Sequence, residues 1–222
     1  MKNNRILILT GGTISKEFAS EYLKHQKFDT VIAVDSGLAS VEELNIPVHY
    51  IVGDFDSVSH VLLEQYRNKM VDNKSITIRE YNPIKDATDT QIAIELAIEL
   101  QAKEIVILGA TGTRIDHVLA NINLLYLPLN HNIKAYIIDE HNKIYLLNQN
   151  TTLLKSQLHG PFISLQPFTE VVTKVTLQGF KYPLVEMDMH IGVSLGVSNE
   201  VTRSQANIIL QSGILIIIES KD

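Results

Sequence analysis

The 222-residue sequence contains no cysteine. Disulfides, thiolate metal sites and a cysteine nucleophile are therefore excluded, and the composition fits a reducing compartment. Basic tracts of five or more residues are also missing. Aspartate and glutamate outnumber lysine and arginine by 25 to 19, giving a net charge of −6, so the electrostatic footprint of a nucleic-acid binder is lacking. Long hydrophobic runs are absent too. The N-terminal apolar stretch spans only Ile6 to Leu9, too short for a signal-peptide core, and no run approaches a membrane span. These features read as a soluble, cytoplasmic protein. The common phosphate and catalytic motifs are missing as well. There is no G-x-x-x-x-G-K-[ST] and no G-x-G-x-x-G after the first strand; "LTGGT" at 9–13 is too short for either. Neither a zinc spacing such as H-E-x-x-H nor a G-x-S-x-G elbow occurs.

Apolar residues make up 45% of the chain and charged residues 20%, enough to bury the core of one large domain or two small ones. The first two-thirds alternates short apolar runs with helix-like segments. The predicted strands are "RILIL" (5–9), "TVIAV" (30–34), "HYIV" (49–52), "SITI" (75–78), "EIVIL" (104–108) and "KAYIID" (134–139). Most are continuously apolar, as strands covered on both faces are. The segment 89–102, "DTQIAIELAIELQA", predicts a well-buried helix: Ile92 and Leu96 share one side, and Ile94, Ala97 and Ile98 broaden the stripe. Alternating β and α predicts a doubly wound, mostly parallel sheet with helices on both faces over 1–147. From 148 onward only short β-like runs separated by turns occur ("TTLL", "FISLQPF", "VVTKVTLQ", "ANIILQS", "GILIIIES"). They predict a small antiparallel β-sandwich over 148–222. The fold class expected is α/β plus all-β.

The carboxyl ends of parallel strands share one edge, where ligands bind. Asp35-Ser36-Gly37 follows one predicted strand, and "GDFDS" (53–57) follows the next. Asp86-Ala87-Thr88-Asp89 comes after a short loop, and "GATGTRIDH" (109–117) follows a fourth. Six aspartates and one arginine would meet on one rim. Each cluster also has a plainer reading. Asp54, Asp56 or Ser57 would cap a helix starting near Val58. Thr88-Asp89-Thr90-Gln91 is a capping box, with Asp89 favouring the helix dipole. Arg114 and Asp116 would form a surface ion pair, and His117 would be an ordinary helix-start residue. Convergence weighs against these readings together, because one helix needs one cap. A hard divalent cation with oxygen ligands would neutralise the rim, and Mg²⁺ suits a site that also holds phosphates. In an extended chain Asp54 and Asp56 would face the ligand while Phe55 packs inward. The "GATGTR" turn would offer amides and a guanidinium to phosphate oxygens.

Asp35-Ser36-Gly37, "GDFDS", "DATDTQIAIELA" (86–97) and "GATGTRIDHVLANINLL" (109–125) occur in the order and spacing of thiamine pyrophosphokinases. "FISLQPF" (162–168), "VTLQGFKYPL" (175–184) and "GVSLGVSNE" (192–200) resemble that family's thiamine-binding β domain. The resemblance covers nearly the whole chain. It implies transfer of the intact pyrophosphoryl group of ATP to the thiamine hydroxyl, giving thiamine diphosphate and AMP. It further implies a homodimer with thiamine held between the α/β domain of one subunit and the β domain of the other. On this resemblance Asp54, Asp56 and Asp89 hold Mg²⁺, Arg114 pairs with ATP phosphates, and Asp116 orients either Arg114 or the metal. Thr88, Thr111, Gly112 and His117 contribute to the nucleotide site together with Asp35 and Asp86. Ser198 and Asn199 hydrogen-bond the aminopyrimidine of thiamine. Many relatives carry tryptophan in the segment matching "GFKYPL". This sequence has none, and Tyr182 stands there as the stacking candidate, with Phe180 either near the ligand or in the core. Two other readings remain: a pyrophosphokinase for a pterin alcohol, and a non-catalytic thiamine or nucleotide sensor.

Overall fold

The structure, a computed structural model, describes residues 4–56, 58–72, 76–81 and 87–222. Ser57 and Asp86 lie outside the described residues. The contacts divide the chain into two compact units, Met1–Glu140 and His141–Asp222.

Among the described residues of the first unit, six strands, β1 (Arg5–Leu9), β2 (Thr30–Val34), β3 (Tyr50–Gly53), β4 (Thr77–Glu80), β5 (Glu104–Leu108) and β6 (Lys134–Ile138), are interleaved with six helices, the last two of which both lie between β5 and β6. These are α1 (Lys16–Lys24), α2 (Gly37–Leu44), α3 (His60–Asp72), α4 (Asp89–Glu99), α5 (Ile115–Leu124) and α6 (Tyr126–Asn130). The strands run parallel in the order β4-β3-β2-β1-β5-β6. Their continuous hydrophobicity has the expected cause. Leu7, Leu9, Val31, Ala33, Ile51, Val106 and Leu108 join Ala19 of α1, Leu38 and Val41 of α2 and Leu63 of α3 in one core. The alternate residues Ile6, Ile8, Ile32, Val52, Ile105 and Ile107 are equally buried, and α4 packs against β1, β2 and β3 with Ala93, Ile94, Leu96 and Ala97 buried. With period-2 side chains, burial of both sets requires cover on both faces.

The strand order reverses between β1 and β5. The chain moves outward from β1 through β4, then returns to the other side of β1. The loops leaving β1 and β5 therefore diverge, and a crevice opens beyond the strand ends.

The second unit has two antiparallel sheets. One is ordered β12-β9-β14-β7, from β7 (Asn142–Leu147), β9 (Phe162–Pro167), β12 (Asn199–Glu200) and β14 (Leu215–Ser220). The other is ordered β11-β10-β13-β8, from β8 (Thr151–Leu154), β10 (Val171–Gln178), β11 (Leu184–His190) and β13 (Gln205–Ile209). Burial alternates strictly along β14, as a half-buried strand requires. The sequence boundary at 147/148 differs from the division at 140/141. The reason is β7, which pairs with β14 over the whole run Asn142–Leu147 and so belongs to the second unit. No strand was expected at β7, β11 or β12.

Candidate active site

A cavity of about 500 Å³ lies at the β1/β5 crevice, lined from four directions. Thr10–Thr13 leave β1, Asp35 and Ser36 leave β2, Gly109–Arg114 leave β5, and Thr88–Thr90 open α4. The "LTGGT" stretch, which matches no phosphate motif, becomes one wall. Its amides bind the facing loop: Gly12 N–H donates to Gly109 O (2.8 Å) and Thr13 N–H to Thr111 O (2.9 Å). The crossing is close enough that a Cβ on Gly12 would lie 2.2 Å from Gly109 O and 2.4 Å from Thr111 O.

Three carboxylates gather beside this cavity, Asp35 and Asp89 in its lining and Asp54 next to them. Asp35, Asp54 and Asp89 each place an oxygen within 4.8 Å of the others. Gly53 makes the gathering possible. Its φ is +153°, and a Cβ there would lie 1.8 Å from Asp35 Oδ1, so any side chain would displace the carboxylate. Asp35 responds to its surroundings. Burial, the charge of Asp89, a side-chain hydrogen bond with Asp89 and the charge of Asp54 together push its carboxyl up from 3.8 to about 7, against a lowering hydrogen bond from Phe55 N–H. Like-charged groups this close retain a proton between them until a cation neutralises them. The donor set is all oxygen, as Mg²⁺ prefers.

The folded carboxyl holds its proton more tightly than the unfolded chain, so in the metal-free protein the contribution of Asp35 to stability is fully present below about pH 4. That contribution is lost as pH rises to about 7. Thermal melts in chelator should show this decline, and Asp35→Asn should flatten it relative to wild type.

The structure rearranges the expected set. Asp56 is exposed and outside the three-carboxylate group. Extended geometry at 54–56 was the premise for pairing it with Asp54, but Phe55 has φ +62° and the chain turns there. Phe55 does pack inward, 5% exposed, while its N–H donates to Asp35 Oδ1 (3.3 Å) and Asp56 N–H donates to Asp54 Oδ1 (3.2 Å). Asp35, read from sequence as a nucleotide contact, takes the place beside Asp54 and Asp89. Thr88 is the N-cap of α4 and accepts Gln91 N–H (3.3 Å). The capping box is only half made, because the Gln91 side chain donates to Glu95 Oε1 (2.9 Å) instead of turning back.

Arg114 precedes α5 and forms a two-bond pair with Asp116: Nε to Oδ1 at 3.2 Å and Nη2 to Oδ2 at 2.6 Å. Asp116 therefore engages Arg114. This hydrogen bonding raises the guanidinium and lowers the carboxyl. Both groups are exposed, so the pair adds little stability and stays open to a ligand. Arg114 lines the cavity from the N-cap of α5, and His117, Val118 and Asn121 line it from the helix. Thr111 and Gly112 belong to the adjoining loop.

In the second unit Tyr182 is 59% exposed and Phe180 5%, so Phe180 is core and Tyr182 presents its ring outward. Ser198 is exposed at φ +54° and donates its N–H to Ser164 Oγ (3.0 Å). Asn199 is buried, 2% exposed. Its Oδ1 accepts Tyr182 N–H (3.0 Å) and Glu200 N–H (2.9 Å), and its Nδ2 donates to Tyr182 O (2.8 Å). Most of the hydrogen-bonding capacity of this amide is thus spent on the backbone that carries Tyr182.

Comparison with known proteins adds to this geometry. The family model described as "Thiamin pyrophosphokinase, catalytic domain" matches residues 21–137, and "Thiamin pyrophosphokinase, vitamin B1 binding domain" matches 150–215. A curated thiamine pyrophosphokinase of Bacillus subtilis (strain 168) is 36% identical over 191 residues, covering 86% of this chain and 87% of the relative. A crystal structure of thiamine pyrophosphokinase from Bacillus subtilis aligns with TM-score 0.85 at 32% identity, covering 99% of this chain and 100% of the other. The thiamin pyrophosphokinase of Geobacillus thermodenitrificans aligns with TM-score 0.82 at 28% identity, covering 98% of each chain.

Proposed function

The chain belongs to the thiamine pyrophosphokinase family, and we propose that it carries out the family's reaction, transfer of the pyrophosphoryl group of ATP to the thiamine hydroxyl, at the cavity beyond β1, β2 and β5. The observation that carries the reading is the convergence of Asp35, Asp54 and Asp89 from three separate stretches of chain, with Asp35 and Asp89 in the lining of that cavity. A sensor has no use for three carboxylates brought this close together. A pterin alcohol as acceptor is disfavoured by the match of 150–215 to a vitamin B1 binding domain.

Reactions of this kind ask the protein mainly for position and charge neutralisation. Asp35, Asp54 and Asp89 would hold Mg²⁺, which supplies neutralisation of phosphate charge when bound. Asp56, exposed beside Asp54, would act on the same site from its edge. Arg114, with Asp116 fixing its guanidinium, meets the ATP phosphates. The Thr111–Gly112 amides, the Thr88 hydroxyl and His117 line the nucleotide's path. The attacking atom is the thiamine hydroxyl oxygen, which displaces AMP from the β-phosphorus as its proton is lost. Tyr182 offers the ring for thiamine, Ser198 a hydroxyl, and Asn199 fixes Tyr182 from behind. The acidic rim also attracts the thiazolium cation.

A homodimer accords with the outer face of α5, where Ile115 and Leu119 are 65% and 57% exposed and Tyr126 follows at 41%. An apolar stripe of this kind suits burial against another chain. Size-exclusion chromatography should return twice the 24.9 kDa chain mass; elution as a strict monomer counts against a shared site. No helix among the described residues is long and apolar enough to cross a membrane. The cysteine-free composition suits the reducing cytoplasm. The deciding experiment mixes protein, Mg-ATP and thiamine and follows AMP. AMP with thiamine supports the reading, AMP only with a pterin alcohol redirects it, and saturable binding without AMP overturns it.

A further inference from the structure

We propose that Asn121 is a positioning residue for the phosphate-holding loop, acting through the carbonyl of Ala110; this rests on the functional reading above. Four successive carbonyls leave β5, and each is bound from inside the protein. Leu108 O accepts Thr10 N–H (2.9 Å), and Gly109 O accepts Gly12 N–H (2.8 Å) and the Thr10 hydroxyl (2.5 Å). Thr111 O accepts Thr13 N–H (2.9 Å). Ala110 O accepts Asn121 Nδ2 (2.8 Å), across eleven residues of chain.

The consequence is electrostatic. With their carbonyls held by donors inside the protein, residues 108–111 are kept from turning those oxygens toward an anion in the cavity. Among the described residues no backbone N–H from Thr111 to Arg114 donates within the protein. The loop thus faces the cavity with donors rather than acceptors, as phosphate oxygens require. Three of the four carbonyls are held by the β1 loop. Asn121 alone reaches back from α5, so it also ties the loop to the helix that Arg114 caps and that carries His117 on its cavity-lining face. The same residue thereby sets the spacing between the amides and the guanidinium.

Asn121→Ala and Asn121→Asp both remove the donor, the second with almost no change of shape. Both should raise KM for Mg-ATP about tenfold and weaken a non-hydrolysable Mg-ATP analogue equally, while KM for thiamine stays within twofold. Thr10→Val acts on the neighbouring carbonyl, which keeps Gly12 as a donor, and should shift KM for Mg-ATP the same way by a smaller factor. It also serves as the test if the Asn121 variants fail to fold. Unchanged KM for Mg-ATP in the folded variants overturns the proposal, and so does a parallel rise for ATP and thiamine, the mark of a general structural role. In that case wild-type AMP formation remains intact, whereas a wild-type chain that forms no AMP overturns the functional reading itself.

Discussion

Asp54→Asn should lower AMP formation from Mg-ATP and thiamine by about 10³-fold or more, with the fold preserved. The substitution removes one charge from a three-carboxylate set while keeping the shape and the local acceptor. Asp54 Oδ1 accepts Asp56 N–H, and an asparagine oxygen accepts it equally well, so the turn at 54–56 has no reason to open. The stability change should have the opposite sign to the activity change. Asp54 adds to the charge that pushes Asp35 up, so its neutralisation relieves repulsion in metal-free protein. A melt in chelator should therefore return an equal or higher midpoint than wild type, and added Mg²⁺ should raise it less. A site that loses function as it gains stability is one where repulsion was retained for a ligand. Near wild-type turnover at saturating Mg²⁺ would remove Asp54 from the site. Asp56→Asn should cost less, because Asp56 stands outside the three-carboxylate group.

That difference marks where sequence reading stops. The strands 5–9, 30–34, 104–108, 151–154 and 171–178 form as their apolar patterns indicate, because long-range packing and local preference agree there. Parallel order then places four loops on one edge, which is why the acidic rim is legible in the sequence. The membership of the carboxylate group was not. It depends on one backbone angle, the positive φ of Phe55, and on a glycine that clears room for Asp35. Neither has a pattern in a window of residues. Asn199 makes the same point. Its residue type suits a ligand contact, but burial and three backbone bonds, two with Tyr182 and one with Glu200, commit it to the backbone around Tyr182. β11 went unseen because five of its seven residues are exposed, which erases the alternation by which a half-buried strand is read. β7 lay unmarked between two segments, and only its pairing with β14 assigns it to a unit.

Gly12→Ala should damage folding and activity together, and Gly53→Ala should separate them. At Gly12 the new Cβ meets backbone: Gly109 O at 2.2 Å, Thr111 O at 2.4 Å and Gly109 C at 3.0 Å. Backbone atoms held by β5 and by the hydrogen bonds from Thr10, Gly12 and Thr13 cannot swing aside as a side chain can. The loops must part by about 1 Å, an overpacking that costs about 1–3 kcal/mol. A displacement of that size at a group-transfer site costs about 10²-fold in rate. Thermal melting and AMP assays on Gly12→Ala should fall in step. At Gly53 the nearest atoms are Asp35 Oδ1 at 1.8 Å and Asp35 Cγ at 2.7 Å, the end of a short side chain that can rotate away. Relief of the clash then takes Asp35 out of the carboxylate group. Some backbone strain remains at φ +153°, but the larger loss should be catalytic. The melting midpoint should drop less than in Gly12→Ala, and the AMP rate should drop at least as far. Equal melting losses in the two variants would mean that Gly53 serves the fold rather than the placement of Asp35.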